Sequence, residues 1–276
     1  MKTILLVGGD RRSLYLRAYF ERRGFSTYGF ALQKGEPPAL GAELLQKPYA
    51  AVLLPLPVTR DGQTVCTPLW DGALPLAELC RRLPKGARVL GGQVPKAFSE
   101  QLLAGGCTVL DYCTEAVVRE NADLTARGVL RVLQENGCAP KGARVVVTGF
   151  GRVAKATLKA LLAAGAAPLV AARRQEALRE AEAQGAEAVL LSDFLKAPGR
   201  FDALVNTVPA RLFSERVLRH CPPDALYLET ASAPYGLDLA AAERLGRRAV
   251  LAASLPGRYF PQAAAEILGA AAESLL

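Results

Sequence analysis

The stretch Arg144-Val145-Val146-Val147-Thr148-Gly149-Phe150-Gly151-Arg152-Val153-Ala154 decides the fold of this chain. A β-branched run comes first, a G-x-G-x-x-A turn follows, and the residues up to Leu162 continue with helical periodicity. In that context Gly149 permits a tight turn, Gly151 lets the backbone approach a pyrophosphate, and the small Ala154 lets the helix pack close to the strand. The pattern predicts a dinucleotide-binding strand–turn–helix unit. The alternative is a turn of the same shape that binds no ligand.

The residues that follow this turn extend it into a complete sheet. From Gly142 onward, short aliphatic runs alternate with amphipathic stretches of helical period, which is typical of a parallel sheet covered by helices. Six strands are predicted, at residues 144–148, 168–172, 188–191, 203–207, 225–230 and 249–253. The second half is therefore predicted to be a Rossmann-like domain with a six-stranded parallel sheet.

The first half has a less regular version of the same pattern. Strands are predicted near residues 3–7, 50–54, 88–90 and 108–110, with a helix over 11–23 and a proline-rich loop over 54–68. A helix predicted over 114–136 joins the halves. The predicted fold is thus α/β, with two Rossmann-like doubly wound domains and a cleft between them.

The predicted domain limits follow from that linker helix. Residues 1–115 form a smaller, flavodoxin- or Rossmann-like substrate domain, and residues 116–276 form the linker helix and an NAD(P)-binding domain. The C-terminal helix, 261–276, is expected to pack near the linker. Its apolar face, which carries Ala265, Leu268, Ala271 and Leu275, would serve either the core or a homodimer contact.

The residues after the second strand of this domain indicate which dinucleotide is bound. About 20 residues beyond the glycine turn, where an Asp or Glu would bind the ribose 2′-hydroxyl of NAD, the chain has Arg173-Arg174. Two guanidinium groups suit a 2′-phosphate, so NADP is favoured over NAD; alternatively, both arginines only begin a solvated helix. Irregular loops at 206–209, 231–236 and 255–258 follow the later strands and would converge beside the cofactor. The candidate cofactor-binding residues are Gly149, Phe150, Gly151, Arg152, Val153, Arg173, Arg174, Asn206, Thr207, Val208 and Pro209.

The composition argues against several classes of function. The six cysteines form no CxxC pair and His220 is the single histidine, so no metal site and no disulfide framework is predicted. The 34 basic and 26 acidic side chains give a net charge of +8, which attracts small polyanions. Scattered basic pairs without interleaved aromatic residues argue against a nucleic-acid partner. The apolar run over 4–9 is too short for a signal peptide or a spanning helix, so a cytoplasmic protein without a membrane partner is expected.

The turn after the first strand is a second candidate site. Gly8-Gly9-Asp10-Arg11-Arg12 offers a flexible backbone, one carboxylate and two guanidinium groups, which suits a carboxylated substrate; a degenerate nucleotide turn is the alternative. On the linker helix, Asn121 and Thr125 share one face, so both can point into the cleft or take part in core hydrogen bonds. His220 follows a helix away from the ligand edge and is not a catalytic candidate.

These residues together resemble one family. The order of its motifs spans nearly the whole chain: Gly8-Gly9-Asp10 with Arg12, Leu54-Pro55, Asn121 with Thr125 and Gly128, Gly149-Phe150-Gly151-Arg152, Ala172-Arg173, Asn206-Thr207-Val208-Pro209 and Leu255-Pro256-Gly257. The chain resembles the family of dipicolinate synthase A subunits. This set of motifs is far more specific than the glycine turn alone.

The resemblance implies a function. Such a protein oxidises dihydrodipicolinate to dipicolinate (pyridine-2,6-dicarboxylate) with hydride transfer to NADP, on a branch of the diaminopimelate and lysine pathway. It is an oxidoreductase of ring CH–CH or CH–NH bonds, and it works with a flavoprotein-like B subunit in the mother cell of a sporulating bacterium. The chemistry needs little acid–base help because hydride loss makes the ring aromatic, so orientation beside the nicotinamide matters most.

The resemblance also suggests roles for residues outside the glycine turn. Arg12 would hold one carboxylate, while the linker helix and the Ser232 loop would orient the ring. The catalytic candidates are Asp10, Asn121 and Thr125, and the substrate-binding candidates are Gly9, Arg12, Ser232 and Tyr235. Two alternatives stay open: a generic NADP-dependent 2-hydroxy-acid dehydrogenase, against which the scarcity of histidine speaks, and a non-catalytic NADP-binding sensor.

Overall fold

The computed structural model of the chain describes residues 2–36 and 47–276. The strands are β1 (Thr3–Val7), β2 (Ser26–Phe30), β3 (Ala51–Leu53), β4 (Arg88–Gly91), β5 (Thr108–Asp111), β6 (Arg144–Thr148), β7 (Ala167–Ala172), β8 (Glu187–Leu190), β9 (Ala203–Asn206), β10 (Leu226–Glu229) and β11 (Arg248–Leu251). The helices are α1 (Arg11–Arg22), α2 (Leu76–Arg82), α3 (Lys96–Ala104), α4 (Glu115–Glu135), α5 (Arg152–Ala163), α6 (Gln175–Ala183), α7 (Leu191–Lys196), α8 (Glu215–His220), α9 (Leu239–Arg244), α10 (Leu255–Tyr259) and α11 (Pro261–Glu273).

These elements form two compact units. Unit 1 combines residues 1–120 with residues 257–276, and unit 2 comprises residues 121–256. The division falls within α4, which is the predicted linker helix. The C-terminal residues belong to unit 1, although the predicted domain range 116–276 includes them.

Unit 1 is built on a parallel sheet of five strands in the order β2-β1-β3-β4-β5. The chain reverses its direction of winding between β1 and β3, so the carboxyl ends of these two strands flank the position where such sheets bind ligands. The sequence predicts four of the five strands and misses β2. That edge strand, Ser-Thr-Tyr-Gly-Phe, buries only Phe30 and contains no aliphatic run, so no hydrophobic pattern marks it.

Alternate residues of the central strands of unit 1 cover opposite faces, as a doubly wound fold requires. On one face, side chains of β1, β3 and β4 pack on α2 and α3; these are Leu5, Val52, Val89, Leu76, Leu79, Phe98 and Leu102. On the other face, they pack on α1, the start of α4 and α11; these are Ile4, Leu6, Leu53, Leu16, Phe20, Val117, Ala265 and Leu268.

The C-terminal helix α11 is part of this second face. Ala265 and Leu268 are 1% and 3% exposed, and Gly269 approaches the ring of Tyr19 so closely that a Cβ would lie 2.6 Å from it. The sequence left open whether this apolar face serves the core or a homodimer contact. Ala265 and Leu268 pack in the core of unit 1, so these two residues are not available to a homodimer.

Unit 2 is built on a parallel sheet of six strands in the order β11-β10-β9-β6-β7-β8. This order and the parallel pairing confirm the predicted six-stranded Rossmann-like sheet. Helices α5 and α6 cover one face and helices α7, α8 and α9 the other. The winding reverses between β6 and β9, so the glycine turn after β6 and the loop after β9 lie side by side.

One predicted loop is a helix. Residues 255–258, read from the sequence as an irregular ligand loop, belong to the short helix α10. Pro256 does not prevent this because it stands in the first turn, where its missing N–H would have no helical partner.

Candidate functional site

The glycine turn of unit 2 leaves its helix open for a phosphate. Gly151 is the N-cap of α5, and no side chain caps that end. A Cβ built on Gly151 would meet nothing within 4 Å, so the space in front of the helix is free. The first turn contains no acidic residue. The uncapped N–H groups and the positive end of the helix dipole therefore suit the pyrophosphate of a dinucleotide.

Gly149 brings a second loop next to that space. Its φ is +85°, and a Cβ there would lie 2.8 Å from Cγ2 of Val208 and 2.9 Å from Oγ1 of Thr207. Glycine is therefore needed both for the conformation and for the close approach. The hydroxyl of Thr207 donates to the carbonyl of Thr148 at 2.7 Å, which fixes the second loop against the end of β6.

The predicted arginine pair lies at the carboxyl end of β7. Arg173 and Arg174 directly follow that strand, and both are exposed. Neither forms an ion pair with any residue in the described part of the chain, whereas nearby Lys155 is held by Glu180 at 2.7 Å. Both guanidinium groups thus keep their charge and donors for a ligand, as a 2′-phosphate requires.

Asn206 organises the loop after β9 from the inside. Its side chain is fully buried: Oδ1 accepts from the hydroxyl of Thr148 at 2.6 Å, and Nδ2 donates to Glu229 at 2.8 and 2.9 Å and to the carbonyl of Val208 at 3.0 Å. The sequence predicts Asn206 as a cofactor-binding residue, but both polar atoms of its amide are hydrogen-bonded to other groups of the protein. It therefore positions Thr207, Val208 and Pro209, which are partly or fully exposed.

Glu229 is a functional candidate that the sequence analysis missed. This carboxylate is fully buried at the end of β10 and accepts from the Asn206 amide and from the backbone N–H groups of Ala231, Gly236 and Leu237, at 2.7–2.9 Å. Burial raises the pKa of Glu229, while these hydrogen bonds oppose the rise. A glutamate that closes the otherwise apolar run Leu226–Glu229 was the available signal.

Glu229 shapes the loop that carries two predicted substrate residues. Gly236 lies so close to Asn206 that a Cβ would be 2.4 Å from Nδ2, and Tyr235 has a φ of +59°. Ser232 is exposed. Tyr235 lines a pocket of about 200 Å³ together with Arg211 and Phe213. Glu229 and Asn206 therefore fix the loop whose tip presents Ser232 and Tyr235.

The candidate turn of unit 1 has positive φ at both glycines, +68° at Gly8 and +104° at Gly9. A Cβ on Gly9 would lie 1.9 Å from Oγ of Ser13, so no larger residue fits. Asp10 follows as the N-cap of α1 and accepts from the backbone N–H of Arg12 at 3.0 Å. The turn thus contacts its own helix closely, and the capping position is filled by a side chain.

Arg12 is held by internal partners. Its Nε donates to Oδ1 of Asp10 at 2.8 Å, and Nη2 donates to Oδ2 at 2.9 Å and to the carbonyl of Leu56 at 2.5 Å. The Arg12 side chain is only 10% exposed. This paired, buried guanidinium keeps only Nη1 for the substrate carboxylate that the sequence assigns to it.

The linker-helix candidates lie one turn apart, as predicted. The Thr125 hydroxyl donates to the carbonyl of Asn121 at 2.7 Å, and both residues are partly exposed. One turn further on, Gly128 has no room for a side chain because a Cβ would lie 2.7 Å from Cβ of Leu255. Gly128 therefore packs α4 against α10, which explains why both residues belong to the motif set.

The remaining titratable groups stand apart from these features. His220 is exposed and lines a cavity with Ala143, Asp202 and Ala225, at the edge where the strands of unit 2 begin. The glycine turn is at the opposite edge, where the strands end. Across the described ranges, no three His, Cys, Asp or Glu side chains are grouped closely enough to hold a metal ion. No helix in the described part of the chain is both long and apolar enough to cross a bilayer.

The chain is similar to known proteins over nearly its whole length. Residues 3–113 match the family model for the N-terminal domain of the dipicolinate synthase A subunit. The dipicolinate synthase A subunit of Bacillus subtilis (strain 168) is 26% identical, with 99% of this chain and 95% of the relative covered. The chain resembles the A subunit of dipicolinate synthase. This confirms the resemblance that the sequence motifs predict.

Solved structures extend the likeness to the fold. The crystal structure of the dipicolinate synthase A subunit from Bacillus halodurans has a TM-score of 0.80 at 24% identity, covering 99% of this chain and 97% of that one. A transhydrogenase from Sinorhizobium meliloti has a TM-score of 0.67 at 14% identity, covering 98% and 92%. At such identities these structures establish the architecture, and the reaction has to be argued from the residues.

Proposed function

We propose that this chain is the A subunit of a dipicolinate synthase, which oxidises dihydrodipicolinate to dipicolinate with hydride transfer to NADP. The observation that carries the proposal is the uncapped N-terminus of α5 with free space at Gly151, on a chain that resembles the dipicolinate synthase A subunit from end to end. A nicotinamide dinucleotide fits this turn because glycine, free N–H groups and the helix dipole all meet at one point.

NADP is the proposed form of the cofactor. The exposed guanidinium groups of Arg173 and Arg174 follow β7, the position from which Rossmann domains contact the adenosine ribose. Each can form charge-assisted hydrogen bonds to a 2′-phosphate, which NAD lacks. Thr207, Val208 and Pro209, held by the buried Asn206, would border the nicotinamide half.

The reaction removes two electrons and two hydrogens from the ring. A bound NADP supplies the acceptor for the hydride, and the remaining proton leaves to a base or to water. Because the product is an aromatic pyridine, the substrate itself provides much of the driving force, and the protein has mainly to orient it. This fits a chain whose only histidine lies at the opposite edge of the sheet.

The residues proposed for the substrate are those that the sequence selects. In unit 1, Gly9 and Arg12 are the proposed substrate-binding residues and Asp10 is a proposed catalytic residue. In unit 2, Ser232 and Tyr235 are the proposed substrate-binding residues, and Asn121 and Thr125 are the proposed catalytic residues. Support comes from the buried framework behind them, in which Asp10 fixes Arg12 and Glu229 fixes the loop of Ser232 and Tyr235. The proposal includes a second, flavoprotein-like B subunit and a role in sporulation.

The test is a coupled assay with the purified chain, alone and with the B subunit. Enzymatically generated dihydrodipicolinate is mixed with NADP or NAD, and reduced cofactor and pyridine absorbance are followed together. Equal amounts of reduced cofactor and dipicolinate are expected, with NADP preferred. Formation of dipicolinate without reduced cofactor, at the rate seen without protein, would refute the proposed hydride transfer.

The cofactor preference has its own variant. Replacing Arg173 and Arg174 together with Ala should raise the KM for NADP roughly 10- to 100-fold and leave the KM for NAD nearly unchanged. Arg179→Ala, at another exposed arginine on α6, is the matched control and should change neither value. Equal losses for both cofactors would contradict a 2′-phosphate contact.

A further inference from the structure

A small pocket in unit 2 lies between the loop that follows β9 and the loop that follows β10. Arg211 and Phe213 line it from the first loop, and Tyr235, Leu237 and Asp238 line it from the second. Both loops leave the carboxyl edge of the sheet, where parallel sheets of this kind bind ligands. The pocket measures about 200 Å³, and sites for drug-sized ligands measure roughly 300–1,000 Å³. Its size therefore suits one substituted ring and excludes a dinucleotide.

Hydrogen bonds between the two loops give the pocket its shape without a ligand. The N–H groups of Leu212 and Phe213 donate to the carbonyl of Gly236 at 2.9 and 2.8 Å, and the N–H of Asp238 donates to the carbonyl of Phe213 at 3.1 Å. Behind them, the buried carboxylate of Glu229 accepts from the N–H of Gly236 at 2.9 Å. The walls are therefore preformed, as is usual for small-molecule sites.

Tyr235 is held at this pocket in a conformation that tyrosine disfavours. Its φ is +59°, and such a left-handed non-glycine residue costs on the order of 1 kcal/mol unless its surroundings impose it. Glu229 imposes it, because it binds the N–H groups of Gly236 and Leu237, directly after Tyr235. The ring is half-buried, and within residues 2–36 and 47–276 the hydroxyl has no hydrogen-bond partner. Tyr235 therefore keeps a donor for a ligand.

Arg211 provides the positive charge of the pocket. Among the described residues that line it, Arg211 is the only base and Asp238 the only acid. Asp238 caps α9, since its Oδ1 accepts from the N–H of Ala241 at 2.9 Å. Arg211 is exposed and forms no ion pair or hydrogen bond with any described residue. A free guanidinium beside the apolar walls of Phe213 and Leu237 suits a ring that carries a carboxylate.

We infer that this pocket binds the ring of the substrate, with the guanidinium of Arg211 on one carboxylate and the hydroxyl of Tyr235 donating to the same group. The inference rests on the proposed function for the identity of the ring as a pyridine dicarboxylate. It adds to the candidates of unit 2 a residue, Arg211, that no sequence motif marks. It also gives Tyr235 a defined contact, a charge-assisted hydrogen bond.

Titration calorimetry of the full chain with pyridine-2,6-dicarboxylate, with and without NADP, tests the pocket in the absence of turnover. Arg211→Ala should weaken binding about 10- to 100-fold with an unchanged Tm, because an exposed charge-assisted donor is lost, and Arg211→Lys should restore part of it. Arg216→Ala, at an exposed arginine of α8, is the matched control and should bind like the parent protein.

Two further measurements separate recognition of the ligand from a structural role. Tyr235→Phe keeps the ring and the backbone, so the Tm should not change, while the affinity for the dicarboxylate should fall about 3- to 10-fold. Pyridine-2,6-dicarboxamide has the same shape without the charges. The parent protein should prefer the dicarboxylate, and Arg211→Ala should lose most of that preference.

Three outcomes overturn the inference. The parent protein does not bind the dicarboxylate, Arg211→Ala binds it like the parent, or Arg211→Ala weakens NADP binding as much as dicarboxylate binding, which would assign the pocket to the cofactor. The turnover assay fails separately. A parent protein that binds the dicarboxylate through Arg211 but never reduces NADP supports the inference and refutes the proposed reaction. Normal turnover with an unchanged substrate KM after Arg211→Ala does the reverse.

Discussion

Glu229 brings a carboxylate into the interior of unit 2, where hydrogen bonds alone compensate it. Five short hydrogen bonds from Asn206 and three backbone N–H groups reach its two oxygens. Burying such a group costs free energy, so we expect it to have a structural role. That role is to fix the conformation of residues 231–237, in which Tyr235 has a left-handed backbone conformation and Gly236 contacts Asn206.

Replacing Glu229 with Gln should therefore affect both stability and loop geometry. The new NH₂ group would face donors from Asn206 and the backbone, which leaves buried donors unsatisfied at a cost of about 2–4 kcal/mol in the free energy of unfolding. Urea denaturation and NADP titration measure the two effects. Glu182→Gln, on the exposed side of α6, is the control. An unchanged free energy of unfolding would mean that the five hydrogen bonds contribute little.

Gly151 tests whether a phosphate occupies the glycine turn. Its φ of −80° is open to any residue and a Cβ would meet nothing within 4 Å, so Gly151→Ala should fold with an unchanged Tm. The added methyl group would project into the free space before α5, and NADP affinity should fall at least about tenfold by calorimetry. Gly149→Ala should instead lower the Tm, because its φ is +85°. NADP binding unchanged by Gly151→Ala would place the pyrophosphate elsewhere.

At the scale of elements, the hydrophobic pattern of the sequence predicts those strands and helices whose own residues are buried. Strands such as β6, with four fully buried residues, are visible in the sequence because both faces of a parallel sheet are covered. The edge strand β2 and the short helix α10 cannot be recognised in the sequence, because both depend on residues far along the chain. Strand β2 pairs with β1, and α10 packs on Gly128. Propensity cannot register such partners.

The same limit applies to the candidate sites. The glycines and the arginine pair are recognisable because their chemistry is local to a turn or a strand end. The hydrogen bonds from Arg12 to Leu56 and from Asn206 to Glu229 cannot be recognised in the sequence. Their partners are distant, since Leu56 is 44 residues from Arg12 and Glu229 is 23 residues from Asn206. Sequence reasoning thus selects candidate site residues, and the structure shows which of their polar groups are already used within the protein.

The contact between α1 and α11 should respond to alkaline pH. Tyr19, only 1% exposed, donates to Oε2 of Glu273 at 2.8 Å, and burial followed by this bond raises the pKa of Tyr19 to about 12. A raised pKa means that the folded protein favours the neutral phenol. The contribution to stability is therefore complete below pH 10 and is lost as the pH rises through about 12.

Tyr19→Phe measures that contribution. The variant should lose about 1–3 kcal/mol at neutral pH, because a hydrogen bond to a charged carboxylate disappears. Urea denaturation between pH 7 and 12 should show the gap to the parent protein narrowing above pH 10. Tyr28→Phe, at a tyrosine that is 40% exposed, is the control. A gap that stays constant to pH 12 would contradict a buried phenol as its source.

At the scale of the whole molecule, the two ends of the chain meet in one unit. Residues 257–276 return to the unit that residues 1–120 begin, and unit 2 lies between them in sequence. Arg88 hydrogen-bonds the carbonyl of Leu276 at 3.0 Å, and Arg23 pairs with Glu273 at 2.6 Å. The stability of unit 1 therefore depends on residues that follow the whole six-stranded sheet of unit 2 in the sequence.

A variant truncated after Phe260, which lacks α11, should lose stability in unit 1 and keep NADP binding in unit 2. Loss of α11 uncovers Leu16, Tyr19 and Phe20, which are at most 3% exposed, and each buried apolar side chain contributes about 1.5–3 kcal/mol. Unit 1 should bind a hydrophobic dye and lose its cooperative unfolding transition, as measured by near-ultraviolet circular dichroism and calorimetry. NADP affinity should stay within about threefold of the full chain, because the glycine turn and Arg173 lie in unit 2. Loss of NADP binding with the deletion would show that the dinucleotide site needs unit 1, and an unchanged Tm would mean that α11 contributes little to its core.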